Sequence, residues 1–193
     1  MRQRLALGSI LLSGLFLGGC ATTMDQAECL TADWYSIGIE DGSRGQTMDR
    51  LTRHRKQCSE FGVQPDVQAY QQGRYEGLDY FCTLPNGLEV GKRGQTYHNV
   101  CPAEMQYYFL TGYRLGREIH RVRTDMRRNR SQVRNVEEEL ASAETTAERK
   151  GELRYQLRTM EQEFGRLQSR VEYLEQEERR VVVSKPSPMA KTN

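Results

Sequence analysis

The sequence predicts a mainly α-helical protein: a small disulfide-stapled helical domain followed by a long charged coiled-coil helix or helical hairpin. Three observations carry this. An aromatic-x-x-Gly-x-x-x-Gly pattern recurs at Tyr35/Gly38/Gly42, Tyr70/Gly73/Gly77 and Phe109/Gly112/Gly116, a spacing that puts the aromatic and both glycines on one side of a helix. Four cysteines, Cys29, Cys58, Cys82 and Cys101, fall in the same stretch and form an even set. From Ile119 onward the apolar residues step by three and four through a region rich in Arg and Glu, which is the coiled-coil pattern.

The chain opens with Arg2 and Arg4, an apolar stretch from Leu5 to Leu17, and then Leu17-Gly18-Gly19-Cys20. The stretch is short for a permanent membrane helix, so residues 1–19 are expected to be a cleaved signal peptide. The end of this segment resembles the lipobox of bacterial lipoproteins. The competing reading is a plain secretory signal with an incidental cysteine. The lipobox resemblance implies cleavage before Cys20, diacylglycerol on its thiol, an acyl chain such as palmitate on the new amine, and lipid anchoring. One acyl chain holds a protein only marginally, at about 0.8 kcal/mol per buried methylene, whereas three chains on one residue hold it durably. Ala21 follows the cysteine where lipoproteins kept at the inner membrane carry Asp. By the same resemblance this implies the outer membrane, with the body facing the periplasm.

Arg2 and Arg4 account for the formal net charge of +2, so the stretch from Cys20 to Asn193 is formally neutral. No global positive field is left to attract nucleic acid, and none is expected as a partner. Charged residues make up 28 % and apolar ones 37 %; because the charge sits late, the early part must hold most of the core. An oxidising compartment favours disulfides between the four remaining cysteines. Three pairings are possible. Neighbours, Cys29 with Cys58 and Cys82 with Cys101, are expected because each closes a short loop, stabilising by roughly 3 to 4 kcal/mol per bridge in the chain-entropy model. The competing reading is a metal site. No Cys-x-x-Cys occurs, and His54, His98 and His120 are not paired at ligand spacing, so neither a metal nor a cofactor is expected.

Residues 20–28 are expected to be a lipidated tether and residues 29–118 the stapled domain, with four helices. Asp33 is placed to cap the first. Thr47 is placed to cap the second, with Met48, Leu51 and Cys58 near one face and Gly62 as its stop. Pro65-Asp66 starts the third, and Cys101-Pro102 the fourth. Between Cys82 and Cys101, the run Leu84-Pro85-Asn86-Gly87 with Gly91 and Gly94 reads as a stapled turn-rich loop or small hairpin. The glycines of the recurring pattern each cost on the order of 1 kcal/mol against alanine inside a helix, so close backbone approach has to offset them. The expectation is three helices meeting at their glycine faces. The near-even spacing points to an ancient repeat, against coincidence in a glycine-rich chain.

Residues 119–180 form the coiled-coil region. One run is Ile119, Val122, Met126, Val133, Val136 and Leu140; the second is Leu153, Leu157, Met160, Phe164, Leu167, Val171 and Leu174. The register breaks between Ala143 and Leu153, where Thr145-Thr146-Ala147-Glu148 reads as a capping box and Gly151 weakens helix. Two architectures fit: an antiparallel hairpin zipped on itself, which is preferred, or one long helix with a stammer that pairs with a second copy. The start of this region is basic, with Arg114, Arg117, Arg121, Arg123, Arg127, Arg128, Arg130 and Arg134 against only Glu118 and Asp125. Residues 181–193, with Pro186 and Pro188, are expected to be a disordered tail.

No nucleophile motif, phosphate loop or metal signature is present, and no catalytic residue is assigned. His54, between Arg53, Arg55 and Lys56, reads as an exposed surface residue. His98 beside Tyr97 pairs on paper with Asp41, Asp66 or Glu76, but each carboxylate has a plainer use as a cap or an arginine partner. The expected role is structural or interactive, through contacts of the coiled coil with an envelope protein or with itself. The alternative is a binding module for an anionic glycan or lipid (peptidoglycan, lipopolysaccharide), with Arg121, Arg123, Arg127, Arg128 and Arg130 as candidate anion ligands. A weaker alternative is a cell-wall hydrolase.

The segments DWYSIGIEDGSRG, RHRKQC, DVQAYQQGRYEGLDYFC, NGLEVGKRGQTYHNVCP and FLTGYRLGREI together resemble an uncharacterised family of proteobacterial outer-membrane lipoproteins, a domain of unknown function (DUF2799-like). The resemblance spans roughly residues 28 to 120. It implies a membrane-tethered periplasmic protein with a charged helical tail, and it implies no activity.

Overall fold

The computed structural model describes residues 24–184. The expectations for the leader at residues 1–19, for acylation at Cys20 and for the stretch holding Pro186 and Pro188 lie outside them. Among the described residues the chain forms helices and no strands. They are α1 (Gln26–Leu30), α2 (Trp34–Ser43), α3 (Asp49–Ser59), α4 (Val67–Phe81), α5 (Leu84–Lys92), α6 (Ala103–Ala141) and α7 (Ala147–Ser184).

Most helix starts follow local side-chain chemistry. Asp25 and Glu28 form a reciprocal capping box on α1, so residues 26–28, expected in the tether, already belong to a helix that continues through Cys29. Asp33 accepts from the Tyr35 amide at the start of α2, and Asp66 from the Ala69 amide at the start of α4. The start of α3 differs from expectation. Its cap position is Met48, with no side-chain cap bond, and the Thr47 hydroxyl bonds the Asp49 carboxylate instead.

The larger correction lies between Cys82 and Cys101. This segment is neither a loop nor a hairpin but carries a helix, α5, capped by Thr83, with Pro85 in the first turn. Pro-Asn-Gly is turn chemistry when read locally. Here the proline occupies the one part of a helix that tolerates it, and Gly87 and Gly91 are buried against α6.

Glycine packing organises the whole domain. Helices α2 and α4 meet through Gly38 and Gly42 on one side and Gly73 and Gly77 on the other. A Cβ on Gly38 would lie 2.2 Å from the Tyr70 carbonyl oxygen, and one on Gly73 2.0 Å from that of Tyr35. Helices α5 and α6 repeat this with Gly87 and Gly91 against Gly112 and Gly116. The three aromatic-glycine helices therefore do not share one meeting point. They belong to two separate pairs, and the member that completes the second pair is α5, where Leu84 stands in the aromatic position.

The two pairs follow one plan. The first helix of each ends in the same tetrapeptide, Arg44-Gly45-Gln46-Thr47 and Arg93-Gly94-Gln95-Thr96. In each turn the glycine has positive φ, +66° at Gly45 and +72° at Gly94, as a left-handed helix stop requires. In each, the glutamine amide bonds back into the helix, Gln46 to the Asp41 carbonyl and Gln95 to the Val90 carbonyl. Each glutamine carbonyl then accepts from the residue following the first glycine of the partner helix: the Arg74 guanidinium at Gln46, the Tyr113 hydroxyl at Gln95. The second pair has no counterpart of α3.

The disulfides pair as expected, Cys29–Cys58 and Cys82–Cys101, with Cα separations of 5.4 and 5.6 Å. Each ties the chain ahead of the first helix of a pair to the chain ahead of the second. Around them lie two aromatic-rich clusters, one of Cys29, Trp34, Leu51, Cys58 and Tyr70, the other of Leu78, Cys82, Val90, Cys101 and Phe109.

Helix α6 passes residue 118 without interruption and leaves the stapled domain as one strand of an arm. Its 39 residues span about 58 Å at 1.5 Å per residue. After a turn at residues 142–146 the chain returns as α7, antiparallel to α6, so the region is a hairpin zipped on itself. In the turn the Thr145 hydroxyl donates to the Glu139 carbonyl, while Thr146 accepts from the Arg149 amide. The cap therefore sits one residue later than the expected box. Residues 181–184, expected in the tail, are the last residues of α7. At its far end α7 reaches the stapled domain: Val171 and Leu174 pack with Leu88, Ile119 and Val122, and Glu178 pairs with Lys92 at 3.0 Å.

Candidate functional site

The first feature beyond packing is a buried polar node in the α2/α4 pair. Asp41 on α2 is only 4 % exposed. One of its carboxylate oxygens lies 2.9 Å from Nε2 of His54 on α3 and accepts from the Tyr70 hydroxyl on α4, also at 2.9 Å. The other lies 3.4 Å from Nε of Arg50. Burial would push the Asp41 carboxyl up, but the hydrogen bonds from His54 and Tyr70, with the charges of His54 and Arg50, outweigh it and hold the group below its ordinary value. Burial first, then the Asp41 charge and hydrogen bond, push the Tyr70 phenol up. One carboxylate thus joins three helices.

His54 is 5 % exposed and is not the surface residue expected. Its sequence neighbours Arg53, Arg55 and Lys56 are exposed because successive residues on a helix point about 100° apart. His54 instead shares the inward face of α3 with Leu51 and Cys58. The paper pairing of His98 with a carboxylate does not form. His98 is exposed without a side-chain partner among the described residues. Asp41 is committed to the node, Asp66 caps α4, and Glu76 accepts from the Tyr35 hydroxyl.

The second feature is the seam of the arm. The two apolar runs face each other as expected, with Ile119, Val122, Val136, Leu153, Val171 and Leu174 buried. One seam position was missed. Asn129, 7 % exposed, occupies the heptad slot between Met126 and Val133 and donates from its amide to the Met160 carbonyl at 3.0 Å. The signal was present in the sequence, since a strict three-four step from Met126 lands on residue 129. A polar residue in an apolar seam lowers stability and specifies register, because a slipped alignment leaves its amide unpaired. Asn129→Leu is expected to raise the urea midpoint of the arm and to admit slipped alignments. The slip is read as weaker crosslinking of a Glu118→Cys/Arg170→Cys pair, whose parent side chains bond across the two helices. Unchanged midpoint and crosslinking would count against a register role.

The arginines of α6 do not act as one belt. Arg123 pairs with Glu175 at 2.8 Å, and the Arg130 guanidinium lies 4.8 Å over the Phe164 ring. Both therefore serve the hairpin. Arg127 donates to Thr124 and Arg128 lies 3.4 Å from Asp125. Arg121 has no side-chain partner among the described residues and lines an open cleft with Arg117, His120 and Arg128, alongside the carboxylates Glu118 and Asp125. Of the five candidate anion ligands, Arg121 and Arg128 alone share that cleft. The packing positions Tyr35, Gly38, Gly42, Tyr70, Gly73, Gly77, Phe109, Gly112 and Gly116 all lie on the helix-pair interfaces described above.

These features define a class: a twice-stapled, all-helical domain built from two glycine-faced helix pairs, with a self-zipped helical arm growing from its last helix. Residues 33–118 match the family described as "Protein of unknown function (DUF2799)", so the glycine-paired domain carries that family's pattern. The match begins at the Asp33 cap and ends within α6, where the arm begins. No curated protein and no solved structure matches the chain.

Proposed function

We propose that the protein is a lipid-anchored cell-envelope lipoprotein whose stapled domain holds out the α6/α7 arm as a rigid contact element for an envelope partner or for a second copy. The observation that carries this reading is mechanical. Helix α6 belongs to both domain and arm, while α7 returns to close on α5 and α6, so the arm cannot swing freely on a linker. Because the apolar seam is consumed within the hairpin, the contact surface is the outer face of the arm, including the exposed Tyr155, Gln162 and Tyr173. The lipid anchor is supported by the Leu17-Gly18-Gly19-Cys20 segment, and the two bridges suit an oxidising compartment such as the periplasm. This reading assigns no reaction.

The test is photocrosslinking in cells from residues 155, 162 and 173. Discrete adducts are expected, and those to an envelope protein should disappear when residues 1–20 are replaced by a secretory leader with an ordinary small-x-small cleavage site, which releases the protein from the membrane. Absence of adducts at all three positions, or adducts to a protein other than a second copy that survive release into the soluble fraction, would overturn the reading. A second reading, binding of anionic lipid, is favoured by the open Arg117/Arg121/Arg128 cleft. It calls for salt-sensitive sedimentation with anionic vesicles that Arg121→Gln/Arg128→Gln weakens.

A further inference from the structure

The two Arg-Gly-Gln-Thr turns come from different helix pairs, yet they open onto one cleft of about 590 Å³, within the range of small-ligand sites. Gln46, Thr47 and Arg53 line it from one side, Thr96 and His98 from the other, and Phe81, Val90 and Tyr97 supply its apolar wall. We propose that this cleft binds a carboxylate-bearing sugar. The inference goes beyond the scaffold role and does not depend on it.

Some polar groups of the two turns are already used. The carbonyls of Gln46 and Gln95 are satisfied by Arg74 and Tyr113, so the backbone of both turns is held in place. The side chains of Gln46, Arg53, Thr96 and His98 have no partner among the described residues. A preorganised backbone that presents unpaired amide, hydroxyl, imidazole and guanidinium groups around an apolar wall suits a ligand with several hydroxyls and one flat apolar face. A sugar ring has both, since its C–H face packs on aromatic and aliphatic surface.

Charge narrows the class. The Arg53 guanidinium is unpaired, whereas Arg44 is held by Glu40 at 2.7 Å. Asp49, which bonds the Thr47 hydroxyl, adds a negative charge to the wall. The lining carries Arg44 and Arg53 against Asp49, one net positive charge. It matches a single carboxylate, which a guanidinium can engage in a bidentate charge-assisted pair, better than a doubly charged phosphate, which Asp49 would oppose.

The probes are N-acetylmuramic acid, N-acetylglucosamine and inorganic phosphate, titrated into the full chain and followed by amide NMR shifts. N-acetylmuramic acid is expected to shift Thr47, Thr96 and His98 together. N-acetylglucosamine, which lacks the carboxylate, is expected to bind about 10-fold more weakly or worse, the scale of one charge-assisted hydrogen bond. Arg53→Gln, an exposed position that should leave the far-UV circular dichroism unchanged, is expected to bring the acidic sugar down to the level of the neutral one. Equal binding of the two sugars, equal or tighter binding of phosphate, shifts confined to other surfaces, no effect of Arg53→Gln, or no binding at millimolar concentration would each overturn the proposal.

Discussion

Gly73→Ala, a change that stabilises most helices, is expected to destabilise this protein by about 3 kcal/mol, at or beyond the upper end of typical overpacking costs. The added methyl would sit 2.0 Å from the Tyr35 carbonyl oxygen. That atom is backbone of the packed helix α2, so no side chain can turn aside. The helices must separate, which strips contact from Gly38, Gly42 and Gly77 as well, since these make equally close approaches. The methyl would otherwise add roughly 1 kcal/mol of helix propensity, so the measured loss understates the clash. Gly112→Ala should act alike in the second pair, where its methyl would lie 2.1 Å from the Leu84 carbonyl oxygen. Gly151→Ala supplies the opposite sign. It also lies in a helix, but a Cβ there meets nothing within 4 Å, so a gain of about 0.5 to 1 kcal/mol is expected. Urea unfolding of the three variants decides the matter. If Gly73→Ala and Gly151→Ala shift the midpoint in the same direction, the close backbone approach is wrong.

Asp41→Ala is expected to cost about 3 to 5 kcal/mol, the usual result of breaking a buried ion-paired network from one side. It leaves the Tyr70 hydroxyl and His54 buried without their shared acceptor. It also removes the charge facing Arg50, whose Nε already lacks a well-formed hydrogen bond. The second helix pair shows how the same place is filled without charge: Val90 and Phe109 stand where Asp41 and Tyr70 do. Asp41→Val with His54→Leu, Tyr70→Phe and Arg50→Met is accordingly expected to lose much less than Asp41→Ala, because all three partners of the carboxylate leave with it and no polar group of the node is stranded. Acid adds a further check. The folded Asp41 carboxyl titrates below its ordinary value of 3.8. Its contribution is therefore fully present above that value and is lost as pH falls through the lower folded value. Urea midpoints measured from about pH 5 down to about 2 should fall more steeply for the parent than for Asp41→Asn once the pH is below 3.8; parallel curves there would remove Asp41 from the acid response.

Much of the domain was legible because its signals are local. Asp33 and Asp66 cap the helices they precede, since an aspartate oxygen reaches an amide two or three residues on whatever surrounds it. The disulfide partners followed from chain separation, which sets the ease of closing a loop. The internal repeat was only half visible. Following the aromatic ring found three of its members, whereas the Arg-Gly-Gln-Thr turn that closes the first helix of each pair identifies both units at once. Segment α5 was hidden because a nine-residue helix has little stability of its own; it exists because Leu84, Leu88 and two glycines are buried against α6.

His54 was misplaced for a related reason. Three cationic neighbours describe its surroundings along the chain, but a helix turns each of them to a different side. The three-four step of Leu51, His54 and Cys58 was the better guide.

By itself the sequence determined the helical periodicity, the caps, the pairing of the bridges and the heptad seams, all properties of residues within a few positions of one another or of loop length. Tertiary structure alone decided that α5 is a helix, that four glycine faces meet as two pairs, that Asp41, His54 and Tyr70 share one buried point, and that the seams zip within a single chain. The physical reason is common to these. Each depends on which surfaces are removed from water together, and that is set by the three-dimensional path of the chain.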